Sequence, residues 1–208
     1  MQPRYQAVRA LYVDNLSFRN GTMHSFNTAI GIDGQWSDYS ENILIEDMHF
    51  PGMSNGALNA KYVKNIKFID STVSTYKRSI RNVGISGSAI LTSFSHGVTI
   101  ANNIIETNDN GLYKSIALNI SGTAVSIEDN KLIGVNNSVV GSYAMLLNGT
   151  HGSVRNNTIE NFDIGIFSMG SNSPQVVYQN TLMRGGSSSY EAIIGSTIVD
   201  AGNNVIIR

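Results

Sequence analysis

Residues 33–41 read DGQWSDYSE and place Trp36 and Tyr39 among the carboxylates of Asp33, Asp38 and Glu41. Trp and Tyr carry flat apolar faces with a polar edge, which suits them to stacking on sugar rings. Carboxylates accept hydrogen bonds from sugar hydroxyls, and a pair of them flanking a glycosidic bond acts as acid and base. Asp38 and Glu41 are therefore the candidate catalytic pair, with Trp36 and Tyr39 as candidate stacking and binding residues. A second stretch, STYKRSIR at residues 74–81, adds Tyr76 and the cations Lys77, Arg78 and Arg81. Guanidinium groups match carboxylates in a bidentate fork, so Tyr76, Arg78 and Arg81 are candidate binders of an acidic sugar polymer. The same composition also describes a plain solvated loop, with Trp36 lying as a lid over neighbouring strands.

What positions these groups is written in the rest of the chain, where one phrase recurs. GVTIANNIIE at Gly97, AVSIEDNKLI at Ala124, GSVRNNTIEN at Gly152 and QVVYQNTLMR at Gln175 each set a polar pair between two apolar alternations. Anchoring every copy on the second member of its pair gives Leu16, Met48, Ser71, Asn103, Asn130, Asn157, Asn180 and Asn204. The spacings are 32, 23, 32, 27, 27, 23 and 24 residues. Three residues before the anchors stand Val13, Ile45, Phe68, Ile100, Ile127, Val154, Val177 and Ala201. Two residues after them stand Phe18, Phe50, Val73, Ile105, Leu132, Ile159, Leu182 and Ile206. Both columns are apolar, while the residue just before the anchor is an amide or carboxylate in every copy, from Asn15 to Asn203.

Period-two apolar segments around a polar pair read as strand, tight corner, strand. Asn and Asp tolerate left-handed backbone angles at such a corner, and in register their side chains can hydrogen-bond from coil to coil. A further strand-like phrase follows each copy: AIGI, ALNA, AIL, IALNI, AMLL, GIF and AII, beginning at Ala29, Ala57, Ala89, Ile116, Ala144, Gly165 and Ala192. Each coil then holds three short strands and cannot bury its apolar face without its neighbours. The fold class predicted is all-β, a parallel β-helix or solenoid of about eight coils with an Asn-rich corner ladder, forming one domain over residues 1–208.

Composition narrows the partners. Charged residues make up 14% and the net charge is −1, which offers no electrostatic basis for binding nucleic acid or an anionic membrane. There is no Cys, so thiolate metal sites and disulfides are excluded. The opening MQPRYQAVRALYVDN lacks a signal-peptide core, and the closing NNVIIR lacks a polar cap. The expectation is a piece of a longer chain, or ends covered by another subunit.

The spacing, the Asn corner and the three strands per coil resemble the right-handed parallel β-helix of the pectin-lyase-like superfamily, over roughly Ala10 to Arg208. That resemblance implies a polysaccharide partner, cleavage by a lyase or glycoside hydrolase as in phage tailspike depolymerases, a homotrimer, and an extracellular or virion-associated setting. Polysaccharide epimerases and non-catalytic stalks or fibres of virions or surface appendages are the alternatives within it. Polygalacturonases in the superfamily carry a His-Gly motif. Here Ser95-His96-Gly97 and Thr150-His151-Gly152 begin equivalent strands and read as turns, since the other motifs of that family are absent. Pectate lyases bind calcium; Asp47 and Asp70 stand in consecutive copies, but as corner residues. No cofactor is expected, calcium being the one metal the resemblance would allow. Gly31, Asn59, Ala117 and Gly165 are expected to point outward on a groove floor without paired carboxylates, which moves the candidate chemistry to the loops. Phe167 and Tyr190 are further aromatic candidates along that face.

Overall fold

The period-two segments form 20 strands, with no helix among the described residues. The computed structural model describes residues 6–24, 27–76, 87–108, 115–135, 142–149, 151–170, 175–184, 191–195 and 198–207. The phrases that begin at Ala29, Ala57, Ala89, Ile116, Ala144, Gly165 and Ala192 all lie in one parallel stack. It comprises Thr28–Asp33, Gly56–Lys61, the first parts of Gly87–Ala101 and Ser115–Glu128, then Tyr143–Asn148, Ile164–Met169 and Glu191–Gly195. Gln6–Leu11 pairs with Thr28–Asp33 at the near end. A second stack contains the first half of Ser40–Met53, Val63–Ile69, the later parts of the two long strands, Gly152–Arg155, Gln175–Tyr178 and Ile198–Gly202. The third contains the later half of Ser40–Met53, Thr72–Tyr76, Ile104–Asn108, Lys131–Val135, Thr158–Phe162, Thr181–Arg184 and Val205–Ile207. The chain is thus an all-β parallel β-solenoid. It makes about six turns, fewer than the eight coils expected.

Each stack sends a column of side chains inward. Ile30, Leu58, Ile90, Leu118, Met145 and Ile166 form one, and Ile45, Phe68, Ile100, Ile127, Val154 and Val177 another. Phe50, Val73, Ile105, Leu132, Ile159 and Leu182 form the third, and all three columns are at most 1% exposed. Full burial of one such side chain contributes about 1.5–3 kcal/mol. No single coil can collect it, so stability accumulates coil against coil.

The corner pair divides its work. Its second residue points inward: Asn103, Asn130, Asn157 and Asn180 are at most 2% exposed. Each Nδ2 donates to the next Asn Oδ1 at 2.9–3.0 Å, and each backbone N–H donates to that same oxygen at 2.9–3.0 Å. The other Nδ2 hydrogen reaches back to the carbonyls of Phe68, Ile100, Ile127 and Val154. The first residue of the pair takes the left-handed conformation, with φ from 51° to 59° at Asp47, Asp70, Asn102, Asp129, Asn156, Gln179 and Asn203. Short polar side chains make that conformation affordable.

The end coils depart from the expected columns. Ser17 pairs with Leu44 and Gly21 with Met48, so the corner of the first coil is Asn20–Gly21 and not Asn15–Leu16. Its spacing to Met48 is therefore 27 residues and not 32 (48 − 21 = 27). Phe18 shares a row with Ile45, and Met23 takes the place expected for Phe18. Asn15 belongs to a different corner, with Asn42 and Asn65, where the amides bond to one another at 3.2 and 3.1 Å. In the last coil a register shift sets Asp200 opposite Val177 and leaves Ala201 exposed.

Candidate functional site

Between the first and second stacks the chain turns a corner whose length varies from coil to coil. In the first coil Tyr12 alone separates the two strand directions, in the third Tyr62 alone, and in the fourth Phe94 alone. All three have φ of 52°. A bulky residue at positive φ is a strained outlier, and here it recurs three times at one corner. In the second coil residues 34–39 fill the same gap. The N–H of Gly34 donates to the Lys61 carbonyl at 2.8 Å, and that of Ser40 to the Tyr62 carbonyl at 3.2 Å. Two adjacent carbonyls of the third coil thus hold both ends of the excursion. Gln35 and Asp38 close it with reciprocal backbone bonds of 2.9 and 3.0 Å, leaving Trp36 and Ser37 at the tip. Trp36 is 78% exposed.

At this same corner the aromatic rings of successive coils meet. Tyr39 approaches Tyr62 edge-on at 5.9 Å, and Tyr62 stacks on Phe94 at 5.1 Å with 17° between the planes. Two ammonium groups lie against them. Lys64 Nζ sits 4.9 Å from the Tyr39 ring and 2.9 Å from Glu41 Oε1. Lys61 Nζ sits 5.1 Å from the Tyr62 ring and 6.0 Å from that of Phe94. Glu41 is anchored through its backbone as well, its N–H donating to the Val13 carbonyl and to Asp14 Oδ1. The Glu41 and Lys64 side chains are 40% and 44% exposed, so the pair sits at the surface within reach of a ligand.

Trp36, Asp38, Tyr39 and Glu41 are therefore together at one corner, as their closeness in sequence requires. Tyr76 is elsewhere: it ends Thr72–Tyr76 in the third stack and is 47% exposed. Arg78, Arg81 and Tyr190 lie outside the described residues. Phe167 packs its ring on Tyr143 at 5.7 Å.

The expected groove floor needs correction. Gly31 and Asn59 share a row with Leu91, Asn119, Leu146, Phe167 and Ile194. Ala117 and Gly165 stand two residues earlier, beside Ala29, Ala57, Ala89 and Ala144, and are buried. Gly31 is buried as well, beneath the Gln6 side chain. Ala117, Gly165 and Gly31 thus serve close packing, while Asn59 lies half-buried on the outward row as expected.

The two His-Gly pairs are not equivalent either. His96 pairs with Thr123 and Val98 with Val125, whereas Val125 pairs with Gly152, so the two pairs are one residue out of register. Gly97, at φ 68°, continues the Asn15, Asn42 and Asn65 corner, which accounts for a glycine there. Asp47 and Asp70 do occupy consecutive corners, both exposed at φ 51°.

Tyr62, Phe94, Lys61 and Lys64 are the members of this site that the loop composition did not reveal. A signal existed: ALYVDN at Ala10 and AKYVKN at Ala60 are two copies of one corner phrase. They align Tyr12 with Tyr62 and Asn15 with Asn65, and would also have placed the first coil in its true register. Comparison with family profiles, curated proteins and solved structures gives no match to this chain.

Proposed function

We propose that the corner carrying Trp36 binds polysaccharide, on a solenoid like those of the pectin-lyase-like superfamily, and that Asp38 and Glu41 act on the bound chain. The observation that carries recognition is the conjunction at one corner. An indole 78% exposed at the tip of the hairpin shares this corner with a tier of three rings from consecutive coils, bordered by carboxylates and ammonium groups. Flat apolar faces ringed by hydrogen-bonding groups match the two surfaces of a sugar. Successive coils rise by about 4.8 Å, so a glycan laid along the solenoid axis meets a new ring or polar group at each level.

Cleavage rests on Asp38 and Glu41. Glu41 is fixed in place by Lys64, while Asp38 is carried on the hairpin beside Trp36. Acid and base roles follow the usual two-carboxylate scheme for glycoside hydrolysis. The test is retention of the protein in gels cast with polysaccharides, alongside an assay for new reducing or unsaturated ends. Trp36→Ala is expected to weaken retention several-fold, up to about tenfold, since stacking on an aromatic ring is worth roughly 0.5–1.5 kcal/mol. The Asp38→Asn, Glu41→Gln double variant is expected to keep retention and make no product. Full retention by Trp36→Ala would remove the site, and unchanged product formation by the double variant would remove the cleavage step alone.

A further inference from the structure

Phe94 is the last ring of the tier, and the coil above it is one residue short. Thr92 pairs with Ile120 and Ser95 with Gly122, so Ser93 and Phe94 together face the single residue Ser121. This is a β-bulge, a device that re-aims a side chain. Gly122 makes it possible, because a Cβ there would lie 2.2 Å from the Ser95 carbonyl oxygen. The consequence is an aromatic ring covered by Tyr62 on one face and without a counterpart in the fifth coil on the other. Phe94 is accordingly 54% exposed.

Lys61 stands at the edge of the same ring. The neighbouring cations are engaged: Arg9 pairs with Asp33 at 3.3 Å and Lys64 with Glu41 at 2.9 Å. Lys61 has no carboxylate partner among the described residues. Its ammonium rests instead against the Tyr62 and Phe94 rings. An exposed ammonium resting against aromatic rings, with no salt bridge among the described residues, can donate to an anionic group bound to that platform.

We infer that the glycan bound at this corner is anionic, with one sugar stacked on the open face of Phe94 and its carboxylate or sulfate on Lys61. This rests on the polysaccharide-binding function proposed above. The Phe94 face supplies contact common to any pyranose, while Lys61 supplies the selection for charge. Selection is local to this corner, because the net charge of −1 gives the molecule no general attraction for polyanions.

The experiment is affinity electrophoresis in matched polymers that share a backbone, carboxymethylcellulose against hydroxyethylcellulose, extended to alginate, hyaluronan and dextran. Lys67→Met, which removes an exposed lysine from another face, is the control for non-specific charge. Wild-type protein is expected to be retarded by anionic polymers. Lys61→Met is expected to weaken that retention about tenfold, the worth of one charge-assisted hydrogen bond. Lys61→Arg should restore it, Lys67→Met should leave it unchanged, and Phe94→Ala should weaken it as well. Equal retention of wild-type and Lys61→Met protein on the anionic polymers would overturn the inference while leaving glycan recognition standing, as would a preference for the neutral polymers. Failure of every polymer to retard the wild-type protein would overturn the polysaccharide-binding function itself. Thermal melts of each variant separate loss of the site from loss of the fold.

Discussion

Asp129 and Asn130 are adjacent in sequence and alike in size, yet they carry different loads. Asn130 Oδ1 accepts from both the backbone N–H and the Nδ2 of Asn103, and its own Nδ2 donates to Ile100, Glu128 and Asn157. Asn130→Ala strands several buried partners at once, each at roughly 1–3 kcal/mol, so a loss of about 3 kcal/mol or more is expected in urea unfolding. Asp129 contributes mainly its tolerance of φ 57°. Asp129→Ala should cost about 1 kcal/mol, and Asp129→Gly close to nothing. Equal losses at the two positions would contradict this division of labour. Thr92 makes the opposite case, with a buried hydroxyl that finds no partner among the described residues. Thr92→Val keeps the shape and removes the stranded group, and should raise stability by about 1 kcal/mol. A lower urea midpoint for Thr92→Val would show that the hydroxyl is satisfied.

The corner between the first and second stacks is an element with a default and an embellishment. Its default is one aromatic residue at positive φ, as at Tyr62 and Phe94. The embellishment is the excursion of the second coil, which Gly34 and Ser40 anchor on consecutive carbonyls. Deleting residues 35–39 returns the second coil to the one-residue corner, with Gly34 free to adopt the left-handed conformation. The melting midpoint is expected to stay within a few degrees, because closing a shorter loop costs little, while polysaccharide retention disappears. A collapse of the fold would mean that the hairpin holds the coils together and is not an addition to them. Glu41→Gln belongs to the same element. The Glu41–Lys64 pair is surface-exposed and worth at most about 1 kcal/mol, so stability should barely change while effects on the bound glycan remain visible.

At the scale of the molecule, the sequence made the interior far more legible than the exterior. The inward columns repeat coil after coil and the Asn ladder runs from Asn103 to Asn204, because each member must contact its like above or below. Seven of the eight anchors, from Met48 to Asn204, hold in the register of the third stack. The first failed because Asn15 imitates a corner of the ladder while belonging to another corner, and Asn20–Gly21 carries no inward amide to announce itself. At the groove floor Gly31, Ala117 and Gly165 were misread, because small residues look like room for a ligand when they are close packing, whereas Asn59 was read correctly as outward. The Trp36 loop was visible as composition. Its partners Tyr62, Phe94 and Lys61 come from later coils, and only the stacking of coils brings them to it.

Recognition of polysaccharide at this corner is tested most directly through Trp36, the chain's single Trp, whose fluorescence reports on one place alone. Adding an anionic polysaccharide should shift its emission to the blue and shield it from acrylamide quenching, saturably, with the effect weakened in Phe94→Ala. Emission and quenching that stay constant across the whole set of polymers would contradict the assignment of this corner as the binding site.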